Sequence, residues 1–208
     1  MNLPHRTRRL VAVAVLVTTA CASTACAPSP NVRPAGHGAP VPSATTTASA
    51  FPVPSPQPVP PGRRGTPAGP VPHPSTVDGR NPDAVAIAAV VTTWSTDTEL
   101  DNGPHDAGLR AIPYLAPELA AAVRAHRPVA APGARWTTWS RHRAHTVVRA
   151  HIVHDAARPD DTPATAHRHV GATLSPTGRD GWHAPAREID VFVTLTRSGP
   201  SWKVASLA

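Results

Sequence analysis

Proline sets the first limit on how this chain can fold. It fills 27 of 208 positions, most of them between Ala27 and Arg80. The run is densest in Phe51-Pro52-Val53-Pro54-Ser55-Pro56-Gln57-Pro58-Val59-Pro60-Pro61. Each proline locks φ and removes a backbone donor, so no helix and no central strand can pass through such a stretch. The residues between are mainly Ala, Ser, Thr and Gly. They offer too little apolar surface to offset the entropy of ordering. The expected state is extended polyproline II, at about 3.1 Å per residue. Residues 27–80 are therefore expected to form a disordered tether reaching up to ~150 Å. Pro58 to Pro61 also suit a proline-recognising domain, and a plain spacer is the simpler reading.

The segment before the tether has a different grammar. Arg6, Arg8 and Arg9 form a positive start, Leu10 to Val17 an apolar run, and small residues follow. The apolar run is much shorter than the roughly 20 residues a spanning helix needs, so residues 1–26 read as an export signal. The only two cysteines, Cys21 and Cys26, sit among the small residues at its end. The segment resembles a bacterial lipoprotein signal, in which small residues directly precede a lipid-modified cysteine. Thr18 and Ser23 stand where that pattern usually has Leu. Cys26 is favoured over Cys21, because cleavage there leaves no unpaired thiol. An ordinary secreted protein is the alternative, since both cysteines also lie in an A-x-A context. The resemblance implies a lipid anchor on the outer face of a bacterial plasma membrane. Residues 81–208 lack cysteine, which excludes a disulfide, a thiolate metal site and a cysteine nucleophile there.

Residues 81–208 read as one α+β domain. Asn81 can cap a helix that starts at Pro82, with Asp83 at the positive end of the dipole. Ile87, Val90, Val91 and Trp94 then recur at helical spacing, to about Ser95. Asp97 to Gly103 is a polar break. A second helix is predicted from Pro104 through Leu109 and Ile112, and a third after Ala116. Beyond Arg127 the period changes to two. Val148, Ala150 and Ile152 share one face of a strand over 145–154. Ala166, Val170, Ala172 and Leu174 do so over 166–174, and Ile189, Val191, Val193 and Leu195 over 188–196. A turn at Arg197-Ser198-Gly199-Pro200 leads to a last strand with Trp202 and Val204 inward. Residues 156–165 and 175–186 read as loops.

Helices followed by an antiparallel meander ending Val191-Phe192-Val193…Trp202-Lys203-Val204 resemble the nuclear transport factor 2-like, or cystatin-like, fold. The resemblance covers about the last 128 residues. It implies N-terminal helices packed into a bent antiparallel sheet that closes as a cone. The whole layout is similar to extracytoplasmic domains of envelope machines, such as conjugation-type secretion subunits and actinobacterial lipid-importer-associated proteins. Those are binding or assembly domains, and the fold alone assigns no activity.

Three constellations could carry chemistry. His105 and Asp106, with Asp101 before and Tyr114 after, form the most enzyme-like group. Members of this fold that are enzymes, isomerase or cyclase in type, use an Asp or His inside the cone as general base. Capping explains Asp106 without chemistry. His145, His151, His167 and His169 could share one sheet face, but no carboxylate or cysteine completes a metal-binding spacing, so no metal or cofactor is expected. Glu188 and Asp190 are expected to pair with Arg and His residues across strands. Trp136, Trp139 and Arg141 form a third cluster, of the residue types that anchor interfaces and that also cover cores. The formal charge is +7, carried by scattered arginines and the single lysine Lys203, which does not point to nucleic acid. There is no G-x-S-x-G elbow and no glycine-rich phosphate loop. The leading expectation is a non-enzymatic module that docks envelope proteins, or a second copy of itself, through Trp136–Arg141. The alternative is a ligand-binding or catalytic cone around His105, Asp106 and Tyr114.

Overall fold

A computed structural model describes residues 59–130, 132–154 and 158–208. The export segment, Cys21, Cys26 and the tether up to residue 58 lie outside the described residues. Helix α1 spans Pro82–Trp94. Its start follows the predicted logic: Asn81 Oδ1 accepts the amides of Asp83 at 2.9 Å and Ala84 at 3.4 Å, with Pro82 in the first turn. Seven of its 13 residues are buried, from Val85 to Thr92. Its alanines let the helix approach the sheet closely, and it touches all four strands.

Those strands, β1 (His145–Val153), β2 (Thr165–Thr177), β3 (Arg187–Ser198) and β4 (Ser201–Leu207), form an antiparallel meander in sequence order. Ala150 pairs with Ala172, Val170 with Val191, and Leu195 with Val204. This register puts each predicted inward residue on the face that α1 covers. Val85, Val90, Val170, Val193, Leu195 and Val204 meet there in one core. β2 runs three residues past its predicted end, so the expected 175–186 loop is shortened to the residues between Thr177 and Arg187. The chain is thus an α+β fold with one helical layer on a four-stranded sheet.

Helices α2 (Pro104–Arg110) and α3 (Pro117–Ala125) flank a 3-10 turn at Ile112–Tyr114. A fourth helix, α4 (Gly133–Arg141), was not predicted. It has no capping side chain, and its two threonines and two tryptophans are weak helix formers, so its sequence carries no start signal. Among the described residues no helix is long and apolar enough to cross a membrane.

The predicted domain start at Asn81 is too late. Residues 59–80 lie along the body of the fold as a strap, extended except for a 3-10 turn at Pro74–Thr76. Val59 N donates to Pro128 O at 2.7 Å, Arg63 N to Leu100 O at 2.6 Å and Trp202 N to Gly79 O at 2.7 Å. Tyr114 Oη donates to Pro72 O at 2.7 Å. Pro67 and Gly69 are buried. Polyproline-like backbone has lost little entropy by being held extended, because proline has already fixed φ in the unfolded chain. The residues between the prolines supply the donors. Contact is close enough that a Cβ on Gly69 would lie 2.8 Å from the carbonyl oxygen of Thr146.

Candidate functional site

Helix α4 stands at the end of the sheet with no buried residue, although it carries two tryptophans. The i, i+3 spacing puts Trp136 and Trp139 on one face. Their rings lie 6.4 Å apart, tilted by 40°, and both are half-buried. The Ala144 amide donates to Trp139 O at 3.0 Å and ties the end of the helix to the start of β1. Facing the indoles are Trp94 at the end of α1 and Leu174 of β2, with Thr96 and Thr146 between them. Together they line a groove of about 400 Å³. Arg135 and Arg187 also line it, and no carboxylate does. Arg141, expected to join the two tryptophans, is exposed and does not line the groove. Trp94, read from sequence as core alone, does. Three indoles beside two guanidinium groups suit an apolar side chain with a neighbouring negative charge.

The second constellation is not gathered into one pocket. Asp101 is buried and held by Arg110, with Nη2 at 2.8 Å from Oδ2. Asp106 Oδ2 accepts the Asn102 amide at 2.8 Å, a local turn contact. Tyr114 is buried in the core beside Trp202, and burial pushes its phenol above the ordinary range. His105 lines a separate hollow on the other side of α2. Acid, base and phenol therefore cannot address one substrate.

The polar break after α1 is the best-organised polar region of the fold, and sequence reading missed it. Asp97 is 0 % exposed. Its Oδ2 accepts from the Ala68 amide of the strap at 2.9 Å and from Arg179 Nη2 at 2.8 Å. Its Oδ1 accepts from the Glu99 amide at 3.1 Å, and its own amide donates to Asp101 Oδ2 at 2.8 Å. Burial alone would raise the Asp97 pKa. The bonds from Arg179, Ala68 and Glu99 outweigh it and hold the carboxyl below its usual range. Glu99 bridges Arg143 at 2.5 Å and Arg179 at 3.1 Å. This knot ties strap, α1–α2 loop and the β2–β3 turn together. The visible signal was three acids, Asp97, Glu99 and Asp101, at alternate positions in an otherwise basic chain. A second missed group is Arg168, which points inward on β2 at 8 % exposure and binds Asp83 and Asp161.

The four histidines do lie along one face of the sheet, but they are not drawn together. His169 Nε2 lies 2.8 Å from Asp190 Oδ1, and its ring stacks on exposed Phe192 at 4.6 Å. His151 covers Gly171 in the neighbouring strand. Glu188 accepts from the Thr173 hydroxyl at 3.0 Å and, among the described residues, is in no ion pair with Arg or His. Among the described residues no group of three His, Cys, Asp or Glu is placed to hold a metal.

No protein-family model matches the chain, and no curated protein matches it. Among solved structures, it is similar to the crystal structure of the intermembrane space region of the chloroplast protein ARC6, at 13% identity. That match covers 63% of this chain and 95% of the other, with a TM-score of 0.30, and carries neither fold nor function across.

Proposed function

We propose that this chain is a membrane-anchored extracytoplasmic lipoprotein, attached through Cys26 or Cys21. Its folded part is a nuclear transport factor 2-like domain that docks another envelope protein and performs no catalysis. One observation carries the docking reading: α4 presents two tryptophans with no residue of the helix buried. Half-exposed indoles are a poor use of a core-forming residue and a good anchor for a partner. The occupant that fits is a protein segment with an apolar side chain flanked by a carboxylate, because Arg135 and Arg187 line the groove and no acid does. The dispersal of His105, Asp106 and Tyr114 weighs against the catalytic alternative.

Cross-linking through the tagged full chain in intact cells tests this reading. A defined set of envelope proteins is expected, and it is expected to be lost in the Trp136→Ala/Trp139→Ala variant. Capture unchanged by that variant removes the groove from the proposal.

A further inference from the structure

A second hollow, sharing no lining residue with the α4 groove, has a different chemistry. It lies between α2, the end of α3 and the strap, and holds about 380 Å³, within the range of small-molecule sites. Val59, Pro61, Leu109 and Pro128 give it apolar walls. His105, His126, Arg124 and Arg127 give it four basic groups, and no acid lines it. The arrangement is fixed. Val59 N donates to Pro128 O at 2.7 Å, and Asn102 Nδ2 donates to the carbonyls of Pro60 at 3.1 Å and Pro61 at 3.0 Å. The His105 and His126 rings meet edge to face at 5.0 Å.

Five arginines elsewhere in the domain pair with carboxylates: Arg110, Arg143, Arg158, Arg168 and Arg179. Among the described residues, none of the four basic groups here is in an ion pair with an acid. Asp106, next to His105 in sequence, turns Oδ2 to the Asn102 amide. We propose that this hollow binds a single-chain amphiphile, with its carboxylate or phosphate head against Arg124, Arg127, His105 and His126 and its apolar tail along Val59, Leu109 and Pro128. Such a ligand supplies the missing negative charge and covers the apolar walls together. Burial first, and then His126 and Arg127, lower the His105 pKa against the opposing pull of Asp106. The inference does not rest on the docking role of α4.

Titration calorimetry of the full chain with dodecanoate, dodecyl phosphate and dodecyltrimethylammonium, each below its micelle concentration, tests it. Saturable one-to-one binding of the anionic probes is expected, with the cationic probe silent. Whichever anion binds more tightly identifies the head group, and either supports the site. Arg124→Ala/Arg127→Ala, at exposed positions, is expected to weaken binding by roughly tenfold or more. Val59→Glu, which puts a carboxylate in the hollow, is expected to do the same. Trp139→Ala is expected to leave binding intact. The proposal is overturned by a lack of saturable binding, by equal binding of the cation, or by affinity that falls with Trp139→Ala and not with the arginine variants.

Discussion

At the scale of single residues, Asp97 decides most. Its carboxylate joins three pieces of chain distant in sequence, through Ala68, Glu99 and Arg179. Removing one partner of a buried pair strands the other, so Asp97→Ala is expected to cost about 3–5 kcal/mol in urea unfolding at neutral pH. The same residue sets a pH dependence. Its folded pKa lies below the ordinary 3.8, so the folded state binds its proton less readily than the unfolded chain. Its stabilisation is complete above that ordinary value and is lost as pH falls through the folded pKa. Unfolding free energies measured at pH 6 and stepwise towards pH 2 are expected to fall less steeply for Asp97→Asn than for the native chain. Equal slopes would show that other acids carry the effect. Nothing in the local sequence distinguished Asp97 from a solvated loop acid, because its partners lie 29 and 82 residues away.

At the scale of elements, local pattern served where burial and period agree. The cap of α1 and the alternation in β1 to β4 were legible because one face of each is apolar and the other polar. Arg168 breaks that alternation on β2 and still faces inward, since Asp83 and Asp161 neutralise it there. Helix α4 was not legible, because its apolar residues face a groove and not the core. The strap was misread as disordered because composition describes what a segment can bury by itself, not what a finished surface can hold. Gly69 marks the difference. A side chain there would meet the Thr146 carbonyl, so Gly69→Val is expected to destabilise by about 1–3 kcal/mol. It is also expected to raise hydrogen exchange at the Ala68 amide. Protection unchanged from the native chain would show that the strap contributes nothing there.

At the scale of the whole molecule, one sheet with one covering helix leaves the ends of the sheet for function, and α4 occupies one of them. Since no α4 residue is buried, Trp139→Ala is expected to leave the thermal unfolding midpoint nearly unchanged while weakening partner binding by more than about 1 kcal/mol. A large loss of thermal stability would make the indole a lid over the core. The tryptophan cluster was visible in sequence, but Arg141 was grouped with it by proximity along the chain, and helix geometry turned it away. Sequence alone determined the cap of α1, the four strands and the faces they bury, because those depend on residues within a few positions of one another. Tertiary structure alone decided that the strap belongs to the fold, that Asp97 is its buried anchor, and that His105 and Tyr114 part company. Each of those rests on contacts between residues far apart in the chain, and such contacts exist only once α1 and the sheet have fixed where the loops must meet.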